Sequence, residues 1–162
     1  MIIAEIDIHD DVVKEIGKFT ILWNMFEKKY TKYGNEKNYI ELAHTLEFSP
    51  EIFEEIRVHL LNQRCLRIND ESQTDEFVKV YLFSENARLK PDKLSKEFLP
   101  VKFICQFLDK EGLIEEQQCG CLYAVERYRN NLLHGIKSLN DLEEQLNAFK
   151  AINLLLEDFA AQ

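Results

Sequence analysis

The residues of this chain whose types and spacing could do chemistry lie in one run, residues 127–135, which reads Arg-Tyr-Arg-Asn-Asn-Leu-Leu-His-Gly. A guanidinium stays positively charged at physiological pH and can hold a phosphate through two parallel hydrogen bonds. An imidazole can accept or donate a proton near neutrality, because its ordinary pKa is about 6.5. Together the two groups can cleave RNA without a metal ion, through attack of a ribose 2′-hydroxyl on the adjacent phosphorus.

Helical spacing predicts which of these side chains act together. Residues seven apart return to within about 20° of each other on an α-helix, so Arg127 and His134 should share a face, with Asn130 beside them. Arg129 lies about 140° round the helix from His134, but a long arginine can fold back towards it. We therefore keep both arginines as candidate phosphate ligands, His134 as general acid and base, and Asn130 as the residue that orients the imidazole or the phosphate.

The charge of the chain restricts its partners. A formal net charge of -9 argues against broad, nonspecific binding to DNA or RNA, which needs a basic surface. From Gly120 to Lys137 the balance reverses, because Arg127, Arg129 and Lys137 outnumber the single acidic residue, Glu126. We take Lys137 as a further candidate cation for RNA phosphates, in a small basic site within an acidic protein.

The motif and its setting resemble the HEPN superfamily. In that family an arginine is followed by four to six residues and then a histidine, and a polar residue commonly comes directly after the arginine. Arg129-Asn130 with His134 matches the four-residue version, and Arg127 with His134 matches the six-residue version. The segment Ile21–Glu27 is also similar to stand-alone HEPN proteins of bacterial and plasmid origin.

The resemblance implies one all-α, HEPN-like helical domain over residues 1–162. It further implies a metal-independent endoribonuclease that acts as a homodimer, with two copies of the motif facing each other across one cleft. Such proteins serve as toxins, antiviral effectors or RNA-processing factors, and an antitoxin or regulatory protein is an expected partner. Some HEPN toxins carry a tyrosine shortly after the histidine that is nucleotidylated, whereas here residues 135–137 read Gly-Ile-Lys, which puts that regulation in doubt.

Two alternatives remain open from the sequence. One is a HEPN fold that has lost catalysis and only binds RNA or a protein partner. The other is a purely structural role, in which Arg127 and Arg129 form surface ion pairs, Asn130 and Asn131 are solvated, and His134 lies at a helix C-terminus, where a positive charge is favourable.

Apolar residues recur at three- and four-residue steps along most of the chain, as on the buried face of an α-helix. The composition, with 46% hydrophobic residues, five glycines and three prolines, also favours helices over a sheet sandwich. Neither a repeat nor a composition shift divides the 162 residues, so one helical bundle is predicted. The predicted helices cover residues 11–33, 50–68, 75–89, 92–108 with a kink or split at Pro100, 113–134 and 140 onward; 38–47 is a short helix or an ordered loop, and 69–74 is a surface loop.

Caps and turns predict where several helices begin and end. Gly34-Asn35 ends the first helix, and Ser49 caps the next one, with Pro50 at its first helical position. Asn140 caps the last helix and forms a reciprocal capping box with Glu143. Gly135 takes the left-handed C-cap position after the motif helix.

The four cysteines point to reduced thiols in the cytoplasm. The N-terminal residues lack the basic start of a secretory signal, and no apolar run approaches the roughly 20 residues of a membrane helix. Cys119 and Cys121 cannot chelate one metal from the same helix, because residues two apart point about 200° away from each other. Gly120 between them suggests a bend. We expect no metal or other cofactor.

Overall fold

The computed structural model of the chain describes residues 2–3, 6–7, 10–30, 39–67, 73–83, 99–133 and 139–162. Over these residues the fold is an all-α helical bundle, as predicted, with one minimal antiparallel hairpin near the N-terminus in which Ile3 lies opposite Ile6. The elements are β1 (Ile2–Ile3), β2 (Ile6–Asp7), α1 (Asp10–Tyr30), α2 (Tyr39–Thr45), α3 (Pro50–Arg67), α4 (Thr74–Phe77), a π-helical turn (Val78–Leu82), α5 (Leu99–Asp109), α6 (Ile114–Leu133), α7 (Leu139–Glu144) and α8 (Leu146–Ala160).

Helices α1 and α8 pack side by side through aromatic side chains. The predicted stripe of α1 buries Phe19, Trp23 and Phe26. Phe19 contacts Phe149 with ring centroids 5.4 Å apart, and Phe26 contacts Phe159 at 5.9 Å. The periodicity of α1 is therefore a core pattern, and its tryptophan is not a surface platform for stacking bases.

Helix α6 lies against α5 with an unusually close approach at Gly120. A Cβ added at this position would lie 1.9 Å from the carbonyl oxygen of Phe103 and 2.9 Å from the Cβ of Phe107. Glycine is therefore required here by contact between two helices. Helix α6 runs without a break from Ile114 to Leu133, so Cys119 and Cys121 stay two positions apart on one helix.

A buried arginine joins α3, α5 and the first half of α6. The Arg57 guanidinium donates from Nε to the carbonyl oxygen of Phe107 and from Nη2 to Oε1 of Gln117, at 2.9 Å for the second bond. Its Nη1 forms an ion pair with Glu54, and its Cζ lies 4.8 Å from the centroid of the Phe53 ring. Each nitrogen of this buried cation has a partner, so its role is to hold the bundle together.

The region from Thr74 to Phe83 differs from the prediction. Thr74, assigned to a surface loop, begins α4 and is buried, where it accepts a hydrogen bond from Arg64 and donates one to Asp109 at 2.8 Å. Val80, an apolar residue within the predicted helix 75–89, is 64% exposed. The cause is the π-helical turn, whose wider i to i+5 spacing rotates the side chains away from positions expected for an α-helix.

Pro100 lies in the first turn of α5, and residues 92–98, predicted as the part of the helix before it, lie outside the described residues, so the predicted kink or split stays a prediction. Pro100 is the second residue of α5, where its ring and missing N–H are tolerated because the first-turn amides have no partner within the helix. The ambiguous segment 38–47 contains a short helix, α2, and Pro50 begins α3 as predicted.

The predicted final helix is two helices. Helix α7 ends at Glu144 and α8 begins at Leu146, with a turn at Gln145. The buried Gln145 amide donates to the Tyr81 hydroxyl, and so ties this turn to the π-helical segment. Asn140 lies inside α7, which begins one residue earlier, so its assignment as an N-cap is wrong.

Some predictions lie in parts of the chain that the structure does not describe, namely the helix end at Gly34-Asn35, the C-cap at Gly135 and most of the loop at 69–74. In the described ranges, no helix combines the length and the apolar character needed to cross a membrane. No disulfide joins any of the four cysteines, of which Cys119 and Cys121 are buried and Cys65 is exposed.

Candidate functional site

The last two turns of α6 carry three of the five predicted site residues, Arg127, Arg129 and Asn130. The other two, His134 and Lys137, follow this helix in sequence and lie outside the described residues. The structure therefore gives the geometry of the arginines and the amide, and the histidine remains a prediction from the motif.

Arg127 points into the protein. Its side chain is 5% exposed, donates from Nε to the carbonyl oxygen of Leu82 at 3.1 Å, and holds its Cζ 4.2 Å from the centroid of the Phe83 ring. Burial lowers the pKa of the Arg127 guanidinium to about 10, so it remains charged at neutral pH. This arginine joins α6 to the end of the π-helical turn, and the expectation of surface ion pairs is wrong for it.

Arg129 and Asn130 form a pair on another side of α6. Both side chains are half-buried, and Nη1 of Arg129 donates to Oδ1 of Asn130 at 3.0 Å. On an ideal helix Arg129 lies about 160° round the axis from Arg127. The structure therefore brings Arg129 and Asn130 together and directs Arg127 elsewhere, so Arg129 is the more accessible cation of the two.

Sequence reasoning counted Glu126 only as a charge. This half-buried carboxylate precedes Arg129 by three residues and Asn130 by four, and it accepts a hydrogen bond from the buried hydroxyl of Tyr39 on α2. Burial, reinforced by the negative charge of Glu126, raises the pKa of Tyr39 well above its ordinary value of 10.0. The phenol therefore stays protonated and keeps donating. Helical spacing places Glu126 beside Arg129 and Asn130, so the sequence could have identified it. The spacing does not predict the contact with Tyr39, which lies 87 residues away in sequence.

Two further polar groups on α6 are buried without hydrogen-bond partners among the described residues. Asn131 is 0% exposed, and neither its amide nitrogen nor its amide oxygen is bonded; the Tyr128 hydroxyl is in the same condition. Burial also raises the pKa of Tyr128, so its hydroxyl stays protonated. The expectation that Asn131 is solvated is wrong, and its side chain belongs to the buried face of the helix.

A cavity between α4 and α5 does not coincide with these residues. It has a volume of about 270 Å³, and residues that line it include Thr74, Lys102, Cys105 and Asp109. None of the three described site residues is among those that line it. Within the described ranges, no three His, Cys, Asp or Glu side chains are grouped so that they could hold a metal ion.

Searches with family models, against curated proteins and against solved structures found no match to this chain. The function must therefore be argued from the residues of the site itself. The Arg129–Asn130 pair, with Glu126 one turn before it and the buried Asn131 beside it, is the described part of that site.

Proposed function

We propose that this chain is a metal-independent endoribonuclease of the HEPN type, which cleaves RNA through its own ribose 2′-hydroxyl. The observation that carries the proposal is the Arg129–Asn130 pair. Asn130 accepts one hydrogen bond from Nη1 of Arg129. Because an arginine has five N–H donors, the guanidinium can still hold a phosphate with two parallel bonds. The pair precedes His134 by five and four residues, the spacing of the motif.

Each residue then has a role in the reaction. Arg129 stabilises the negative charge that develops on the phosphate oxygens, and Asn130 orients the guanidinium. His134 exchanges protons with the reacting oxygens, as its ordinary pKa near neutrality allows. Lys137 adds a cation for the RNA backbone. Arg127 stabilises the position of α6 through its hydrogen bond to the Leu82 carbonyl.

We further propose a cytoplasmic homodimer that acts as a toxin or as a defence or stress effector, restrained by an antitoxin or regulatory protein. The resemblance to HEPN proteins supports these points. One observation favours the alternative of a catalytically inactive module that binds RNA or protein: the burial of Arg127 leaves Arg129 as the one accessible arginine among the described motif residues.

The test is cleavage of total cellular RNA in excess EDTA by the wild type and by His134→Ala, with the product ends mapped. We expect the wild type to leave 2′,3′-cyclic phosphate and 5′-hydroxyl ends, and the variant to lose activity by about 10²- to 10⁴-fold. His59→Ala is the matched control, because His59 lies on α3 beside Glu55 and is not part of the motif.

Equal RNA cleavage by the wild type and His134→Ala, with both proteins folded, would contradict the proposal. Absence of cleavage by either protein, together with RNA binding that survives His134→Ala and weakens in Arg129→Gln, would favour the binding module. Light scattering on the same samples tests the homodimer separately.

A further inference from the structure

We propose that Glu126 is the general base that takes the proton of the ribose 2′-hydroxyl in this site, and that Tyr39 holds its carboxylate in place. The inference rests on the proposed function, and it changes the assignment of roles. With a carboxylate as the base, His134 serves as the general acid, and one chain then contains both proton-transfer groups.

The first argument is the position of Glu126 on α6. Residues three and four apart on a helix are neighbours, with Cβ atoms about 5–6 Å apart. Glu126 has this relation to Arg129 and to Asn130. Helical side chains lean towards the N-terminus, so the guanidinium and the amide extend over the turn that carries the carboxylate. A phosphate held by Arg129 would therefore lie close to Glu126.

The second argument is the contact that holds the carboxylate. Tyr39 is 1% exposed, its hydroxyl donates to Oε2 of Glu126, and its ring packs edge-on against Tyr123 of α6 with centroids 4.8 Å apart. A carboxylate has about four lone-pair sites, so it can accept the phenol and a substrate hydroxyl together. An oriented acceptor beside a phosphate ligand is the geometry that general-base catalysis needs.

The third argument is that the hydrogen bond from Tyr39 to Glu126 is maintained. Burial raises the pKa of the Tyr39 phenol most, and the negative charges of Glu126 and Glu27 raise it further. Because the phenol stays protonated, its donation to Glu126 persists across the working pH range.

The proposed step is balanced within the RNA and the two residues. The 2′-hydroxyl O–H bond breaks and its proton passes to the Glu126 carboxylate while the oxygen forms a bond to phosphorus. The bond from phosphorus to the 5′-oxygen breaks, and the His134 imidazolium gives its proton to that oxygen. The products are a 2′,3′-cyclic phosphate and a 5′-hydroxyl, with Arg129 stabilising the phosphate charge in between.

The experiment compares the wild type with Glu126→Gln, Tyr39→Phe and, as a matched control on the same helix, Glu115→Gln. We expect Glu126→Gln to lower kcat by about 10²- to 10³-fold with an unchanged KM. Tyr39→Phe should lower kcat less, by about tenfold, again with an unchanged KM, because the carboxylate is no longer held in place.

A second substrate separates the base from the acid. RNA with sulfur in place of the bridging 5′-oxygen at the mapped cleavage site releases a thiolate, which leaves without a proton. We expect His134→Ala to regain most of its activity on this RNA, and Glu126→Gln to remain as impaired as before.

Four outcomes would overturn the inference. If the wild type cleaves RNA and Glu126→Gln matches it in kcat, Glu126 is not the base, and the proposed function stands. If the sulfur-substituted RNA restores Glu126→Gln, or if Glu126→Gln loses activity only through unfolding while Tyr39→Phe keeps the wild-type kcat, the carboxylate has another role. A wild type that cleaves neither substrate overturns both proposals.

Discussion

The two halves of α6 use polar and small residues in opposite ways. In the first half, Gln117 bonds the buried Arg57, and Gly120 lets α5 come into contact with the helix. In the second half, Tyr128 and Asn131 bury polar atoms that have no partner in the described part of the chain. A buried, unpaired polar group costs about 1–3 kcal/mol, which folding alone does not favour. On the proposed function, we expect the polar and small residues of the first half to serve stability, and those of the second half, apart from Arg127, to serve the site.

The largest expected effect comes from the first half. Gly120→Ala should destabilise the protein by about 3 kcal/mol, because the new methyl group would overlap the Phe103 carbonyl and force α5 and α6 apart. Thermal or denaturant unfolding measures the change. Gly17→Ala is the matched control: Gly17 lies in α1 with no heavy atom within 4 Å of an added Cβ, so we expect stabilisation of up to about 1 kcal/mol.

If Gly120→Ala unfolds at the same temperature as the wild type, the close packing of α5 on α6 is not what the first half provides. A loss of stability in Gly17→Ala would show that the helical propensity of alanine does not dominate at the exposed position. Either result would weaken the contrast between the two halves.

Periodicity predicts the scaffold well and the site only in part. The long helices α1, α3 and α6 follow from apolar residues at helical spacing, because burial of one face is a local property of the sequence. The π-helical turn cannot be predicted in this way, since a change from i, i+4 to i, i+5 hydrogen bonding leaves no signal in the composition. The short helix α2 was ambiguous because two turns contain too few positions to define a face.

The site shows the same limit at the level of single residues. Arg127 and Arg129 are indistinguishable by type, and only the fold brings the Leu82 carbonyl, 45 residues away, to the first of them. Tyr39 reaches Glu126 across a longer gap of 87 residues. Spacing along a helix predicts which neighbours share a face, but it does not predict which face another helix covers.

The two arginines of the second half give the next largest effect. Arg127→Met should destabilise the protein by about 2 kcal/mol, because the Leu82 carbonyl loses its buried donor. Arg129→Met should change the free energy of unfolding by less than about 0.5 kcal/mol, since its side chain is half-buried and, within the described residues, bonds its neighbour Asn130. Urea unfolding measures both changes.

RNA cleavage should reverse the order of these two variants. Arg129→Met should lose about 10²-fold or more in kcat, as expected when a donor to a developing charge is removed. Arg127→Met, assayed at a temperature where it remains folded, should keep most of its activity. Equal destabilisation by both substitutions would contradict the division of labour between the buried and the accessible arginine.

The smallest expected effect comes from two buried asparagines. The amide nitrogen of Asn153 donates to the backbone oxygen and to Oε2 of Glu15, at 3.0 and 2.9 Å, so Asn153→Leu should destabilise the protein by about 1–2 kcal/mol. Asn131→Leu removes an amide with no such bonds in the described chain, so it should stabilise the protein by about 1 kcal/mol. If Asn131→Leu destabilises the protein, its amide is bonded within the fold, and the polar residues of the second half of α6 contribute to stability as those of the first half do. If it stabilises the protein and yet lowers RNA cleavage, a buried amide that costs stability is retained because the site needs it.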